Sequence, residues 1–398
     1  MNSLTFRITT ALVTFLVGIT VAAAWVFTTQ QPTIAPVDVG DSQKSLSSST
    51  LEMVFVLDTT GSMGGLIDGA KQRIWGIVND VMQTESRPAV RIGLVAYRDR
   101  GDQYVTQVLP LTDDLDKVYS VLMSYQAGGG GDTEEDVRKA LAEGVDRAGW
   151  SPRSDHLAQI LFLVGDAPPH EDYIDVPDTG TTAAHAVQKG MVVNTIQCGN
   201  LPGTRTVWET IARLGNGQYF SIAQDGGVQT IATPYDEQLG QLATKLGGTF
   251  VAYGGGGGEA GLIYRDATKR AAGVAESTVA ESAPSVAKAE RAFNKAINAR
   301  AYVGDLLQNI ENGSVEIDKL KEEDLPDDLR KLSPDQRKQE IEKRLAERRE
   351  LRAQIMSLSK QRAEFIAAAR KKTGTKDNGF DAAVSAALKE QLNRKGIK

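Results

Sequence analysis

Between residue 51 and about residue 250 the chain repeats one alternation, and that alternation leaves few folds open. Short apolar runs lacking the every-second-residue polar position of a half-exposed strand are separated by stretches with helical spacing. The spacing predicts strands over 51–57, 89–99, 102–111, 156–166, 191–199 and 217–223. It predicts helices over 64–83, 113–125, 133–148, 179–190, 204–215 and 226–246, with a hairpin turn at "RDRGD" joining the second and third strands. Strands apolar on both faces need cover on both faces, and helical crossovers supply it. The expected fold class is therefore α/β: a doubly wound, mostly parallel sheet followed by an α-helical C-terminal region. In such folds ligands sit beyond the carboxyl ends of the strands.

The first strand ends there in a chemically loaded turn, "VFVLDTTGSMGG" (54–65). An aspartic protease wants Asp-Thr-Gly-Ser without the extra threonine, and a second aspartate in an equivalent turn; Asp178-Thr179-Gly180 follows a polar loop instead. An aspartyl-phosphate phosphatase wants an acid where Thr60 stands. Lys71 comes too late for a phosphate-binding loop, and none of the three histidines (156, 170, 185) sits in a partner motif for a Ser62 nucleophile. A hard divalent cation fits better, because it takes carboxylate and hydroxyl oxygens. Asp58, Thr60 and Ser62 alternate in a sharp loop. "AGGGGDTEED" (127–136) adds Asp132 and Thr133, and "FLVGDAPPH" (162–170) adds Asp166 at the end of the most apolar strand. Helix capping explains each residue singly, but not all of them on one sheet edge. The acid-rich stretch 168–178, with His170, reads as a solvated loop in preference to a second metal site.

These three loops in this order resemble the von Willebrand factor type A (vWA) domain and its metal-ion-dependent adhesion site. The family's first motif, Asp-x-Ser-x-Ser, corresponds to Asp58, Thr60 and Ser62, with Thr60 keeping the hydroxyl of the serine it replaces. The second corresponds to Asp132, with Thr133 as the alternate, and the third to Asp166. The resemblance covers roughly half the chain. It implies recognition and not turnover: magnesium or manganese, held partly through water, keeps one position open for a carboxylate from a partner protein. It therefore implies no enzyme. Two other readings stay open at this stage. One is a metal-assisted hydrolase with Glu134 or Glu135 as base; the other is a scaffold acting through its C-terminal helices with a vestigial metal site.

The ends of the chain supply the setting. Residues 8–27 carry no charge and are long enough to cross a bilayer, with Arg7 before them and Asp38 and Asp41 after. This orientation exports the body. Segment 1–28 is expected to be a signal peptide or a transmembrane anchor, facing the body to a periplasm or exterior, and 29–50 a flexible linker. Segment 51–250 is the expected vWA domain, 251–285 a Gly-rich linker, and 286–398 a helical hairpin or coiled-coil-like region. Arg300, Arg348 and Arg362 interrupt its apolar stripes, which argues against a long uniform coiled coil. These helices are an expected oligomerisation or docking surface. A net charge of −6 in 398 residues argues against nucleic acid as a partner. The single cysteine, Cys198, lies in a strand-like run and is expected to be an inert core thiol.

Overall fold

The structure, a computed structural model, describes residues 49–82, 88–222, 231–298, 302, 304–373 and 379–397. The apolar run 8–27 and most of the expected linker 29–50 lie outside the described residues. In chain order the elements of the first half are β1 (Thr50–Asp58), α1 (Ile67–Met82), β2 (Ala89–Tyr97), β3 (Thr106–Thr112), α2 (Leu115–Ser124) and α3 (Val137–Asp146). There follow β4 (Leu157–Gly165), α4 (Thr179–Gln188), β5 (Val192–Cys198), α5 (Thr204–Leu214), β6 (Asn216–Ile222) and α6 (Asp236–Gly248). The six strands lie in the order β3-β2-β1-β4-β5-β6. All neighbours are parallel except β2 and β3, the expected hairpin. The strand order reverses between β1 and β4, where a doubly wound sheet opens a crevice.

Each face of the sheet has its own core. On one face Phe55 stacks on Phe162, with ring centroids 5.2 Å apart, beneath Trp75 of α1 and Tyr119 of α2. On the other, Val54, Val56, Leu161 and Leu163 meet Val137 and Leu141 of α3 and Trp208 of α5. Gly144 lets α3 approach: a Cβ there would stand 2.7 Å from Val56. Cys198 is buried, and burial pushes its thiol well above the usual range, as an inert core cysteine requires.

The C-terminal half consists of α7 (Gly258–Ser282), α8 (Ser285–Ile297), α9 (Leu306–Glu311), α10 (Asp327–Arg330), α11 (Pro334–Thr373) and α12 (Gly379–Asn393). Two expectations need correction. The Gly-rich linker expected over 251–285 is confined to the glycines before 258. From there the chain has no proline until Pro284 and is rich in alanine, glutamate and arginine, all strong helix formers, so α7 follows. The hairpin of two long helices expected over 286–398 is one 40-residue helix, α11, lying on α6 and α8. The helix that opens this region, α8, ends at Ile297 after 13 residues.

These helices are not a detached appendage. Val279 of α7, Ala287 of α8, and Val384 and Leu388 of α12 belong to the same apolar cluster as Phe55. Buried polar pairs fix them in place. Arg291 of α8 binds Asp116 of α2 and Glu276 of α7, and Lys295 also binds Glu276. Gln391 of α12 and Asn194 of β5 exchange amide hydrogen bonds of 2.9 and 3.1 Å.

Candidate metal centre

β1 delivers Asp58, fully buried, to the crevice edge. The chain then turns back on itself: Thr60 donates both its backbone N–H (2.8 Å) and its hydroxyl (2.6 Å) to Asp58 Oδ1. A 3-10 turn, Gly61–Gly65, lifts Ser62 to the surface. There Ser62 Oγ lies 3.1 Å from Thr60 Oγ1 and donates to Asp166 Oδ1 at 3.0 Å. Asp166 follows the last residue of β4, so Asp58 and Asp166 flank the switch point on adjacent parallel strands. Gly165 is the floor: a Cβ there would stand 2.3 Å from Tyr97 Oη and 3.1 Å from Asp58 Cβ.

The glycine loop closes over this turn. Gly61 N–H donates to Gly129 O (3.1 Å) and Gly128 N–H to Thr59 O (3.0 Å). Gly129 and Gly130 adopt φ of 77° and 79°, and a Cβ on Gly129 would fall 2.4 Å from the Asp102 carboxylate. That carboxylate accepts Gly130 N–H at 2.9 Å, so the loop needs glycine both for its left-handed backbone and for this contact.

Burial makes these carboxyls costly to ionise. Burial, and then the charge of Asp166, push the Asp58 carboxyl up to about 7. Burial raises Asp166 as well. Glu135 is pushed up to about 9, by burial first and by Asp58 next. Among the described residues, Asp58 Oδ2, Glu135 Oε2 and the Tyr97 hydroxyl are buried without a hydrogen-bond partner. Unpaired buried polar atoms are costly, and Asp58 acts electrostatically on both Glu135 and Tyr97. The donors are all oxygens from carboxylates and hydroxyls, the set that a hard divalent cation takes. The residues present therefore fit such an ion.

A family model described as "von Willebrand factor A domain" matches residues 52–234. Residues 52–234 are a von Willebrand factor A domain. A search of curated proteins finds no match to the chain. Among solved structures the chain is similar to the conserved hypothetical protein BatB from Bacteroides thetaiotaomicron, at 18% identity, covering 44% of this chain and 92% of that one, with a TM-score of 0.34. It is also similar to an aerotolerance-related membrane protein from Bacteroides fragilis (17% identity, 45% and 94% covered, TM-score 0.31). A third similar structure is the SpRpn10 VWA domain (16% identity, 46% and 99% covered, TM-score 0.35).

Within this vWA domain, Asp58, Thr60, Ser62 and Asp166 meet as the sequence suggested. The second loop does not deliver the residues expected of it. Thr133 is exposed, and the Asp132 carboxylate lies beside His170 Nε2, at 3.3 Å, and not in the Asp58 cluster. Glu135 takes the inward position: it is buried against Thr60 and within the field of Asp58. The cause is where α3 begins. Asp136 caps it by accepting Lys139 N–H at 3.1 Å, so 133–136 is loop and not helix. Glu135 is then pinned by its backbone, donating to Pro168 O and accepting from His170 N, both at 3.1 Å. The Asp136-x-x-Lys139 cap was the sequence signal for this register. The displaced Asp132 lies near Asp99 and His170, whose ligand atoms fall within 4.8 Å of one another. Among the described residues no helix is long and apolar enough to cross a membrane.

Proposed function

We propose that this vWA domain binds magnesium or manganese through Asp58, Thr60, Ser62, Asp166 and Glu135, and that the ion takes a carboxylate from a protein partner. The observation that supports this reading is the meeting of Ser62 and Asp166, 104 residues apart in sequence, beside a buried Asp58 oxygen that has no donor among the described residues. The ion supplies a Lewis-acid contact for an anionic oxygen. The chain supplies the rest. Thr60 orients Asp58, Gly165 keeps Asp58 close to Asp166, and the glycine loop shields the buried side of the cluster. Ser62 is exposed, so an approaching side chain reaches the site from solvent.

The role is binding and not turnover, in an exported protein held by, or released from, a membrane through residues 8–27. The acidic net charge disfavours nucleic acid. The C-terminal helices share the vWA core, and so they shape the body that a partner meets; their outer faces are where a second copy of the chain would dock.

A titration tests the central step. The purified full chain is presented with peptides bearing a single exposed Asp or Glu, in magnesium and in chelator. Saturable binding in magnesium that disappears in chelator, and with Asp58→Ala, supports the reading. Equal binding in chelator overturns it, and metal-dependent hydrolysis of the peptide would move the site to catalysis.

A further inference from the structure

A second group of metal-ligating side chains lies outside the Asp58 cluster. Asp99 follows β2, Asp132 stands in the glycine loop, and His170 follows β4. His170 Nε2 points between the two carboxylates, 3.3 Å from Asp132 Oδ1 and 3.7 Å from Asp99 Oδ2. Its other nitrogen, Nδ1, is 2.9 Å from Asp172 Oδ1. Tyr173 stacks on the imidazole at 4.1 Å and donates its hydroxyl to the Asp99 carboxylate, at 3.0 and 3.1 Å from its two oxygens. Arg100 lies over the Tyr173 ring at 3.8 Å and pairs with Asp136 and Asp175. Arg138, buried, donates to the Glu171 and Tyr173 carbonyls and fixes the loop from below.

This is how proteins hold a metal-binding imidazole. The nitrogen away from the metal donates to a carboxylate, which sets the tautomer and the ring angle. With Nδ1–H committed to Asp172, Nε2 presents a lone pair to two carboxylates, and three acceptors face one point. The spacing suits an ion better than a direct hydrogen bond. Charge-assisted N–H···O⁻ contacts are about 2.7–2.9 Å long, whereas ligand atoms about 2.1 Å from a tetrahedral ion stand about 3.4 Å apart. Asp99 is buried and Asp132 is half exposed, so the fourth position opens to solvent.

We propose that Asp99, Asp132 and His170 form a second divalent-cation site, built for a transition metal such as zinc, beside the all-oxygen Asp58 site. The imidazole donor sets the preference, because nitrogen ligands suit zinc while magnesium takes oxygen. An ion there ties together the loops after β2 and β4 and the glycine loop that covers Thr59 and Gly61. The proposal stands whether or not the Asp58 site captures a carboxylate.

The test is calorimetric titration of the chelator-stripped full chain with zinc chloride in millimolar magnesium. One saturable zinc site is expected, lost in His170→Ala and in Asp132→Asn, and retained in Asp58→Ala. Asp132 is exposed enough that its asparagine variant keeps the fold, which circular dichroism checks. Asp172→Asn is expected to weaken zinc 10- to 100-fold, as loss of an orienting carboxylate does. Absence of saturable zinc binding overturns the proposal, and then a proton on Nε2 satisfies the carboxylates. Zinc that survives His170→Ala but disappears in Asp58→Ala overturns it too, because the ion then sits in the first site.

Discussion

Asp58→Asn should make the metal-free protein more stable while abolishing its response to magnesium. Folded Asp58 is raised from 3.8 to about 7, chiefly by burial and then by Asp166. Without metal the folded state therefore keeps a proton that the unfolded chain has released. That contribution is complete below about pH 4 and is lost as pH rises through about 7. Roughly three units at 1.36 kcal/mol each put the cost of ionising Asp58 on the order of 4 kcal/mol, part of which belongs to Asp166 because the two titrate as a pair. Asparagine carries no charge and still accepts from Thr60 through Oδ1, giving up about 1–2 kcal/mol of charge-assisted bonding. The net gain is about 2 kcal/mol at pH 8 in chelator. For a folded body in which the C-terminal helices share the core, that is a rise in Tm of roughly 3 °C. Saturating magnesium, at about a hundred times its Kd, adds about 2.7 kcal/mol to the wild type and nothing to the variant, so the variant's lead closes. Thermal melts of both proteins at pH 5 and pH 8, with and without magnesium, read all of this. A variant less stable than wild type at pH 8 in chelator, or an equal magnesium shift in both, would refute the reasoning.

Gly165→Ala should cut magnesium affinity at least tenfold and cost about 1–3 kcal/mol by overpacking, since its Cβ would meet Tyr97 Oη at 2.3 Å; adding Tyr97→Phe should restore part of both, as calorimetry and melting would show. Arg291→Met should cost about 3–5 kcal/mol, because it leaves buried Asp116 and partly buried Glu276 with Lys295 alone; denaturant unfolding measures it, and a loss below about 1 kcal/mol would mean that the cluster is wet. Gln391→Leu should cost about 1–3 kcal/mol by stranding the Asn194 Nδ2–H donor, with hydrogen exchange rising first in α12. Uniform exchange across the sheet would instead mean that α12 is not a separately opening unit.

Local periodicity determined much of this protein. Unbroken apolar runs alternating with helical spacing can be buried only in a sheet covered on both faces, so the α/β class and the β2–β3 hairpin were legible in the sequence. So were Asp58, Ser62 and Asp166. Each sits at the carboxyl end of a core strand or in the turn that follows, and the switch point of a parallel sheet brings such ends together whatever the loops do. The second loop was not legible in the same way. Which acid of "GGGGDTEED" turns inward depends on where α3 is capped and on Asp102, whose carboxylate holds the left-handed glycines; neither leaves a periodic trace.

The C-terminal half followed the same division. Arg348 and Arg362 read as breaks in an apolar stripe, as charges do when only their own helix is in view. In the fold Arg348 is fully buried, bonded to Asp305 and Thr249, and Arg362 reaches Asp236 on α6. A buried ion pair looks like two surface charges until its partners, here 43 and 126 residues away, are brought together. Secondary structure is encoded over a few turns of chain and can be read there. The inward face of a loop, the partner of a charge and the docking of helices onto a core are set by contacts between distant segments, and only the tertiary structure decides them.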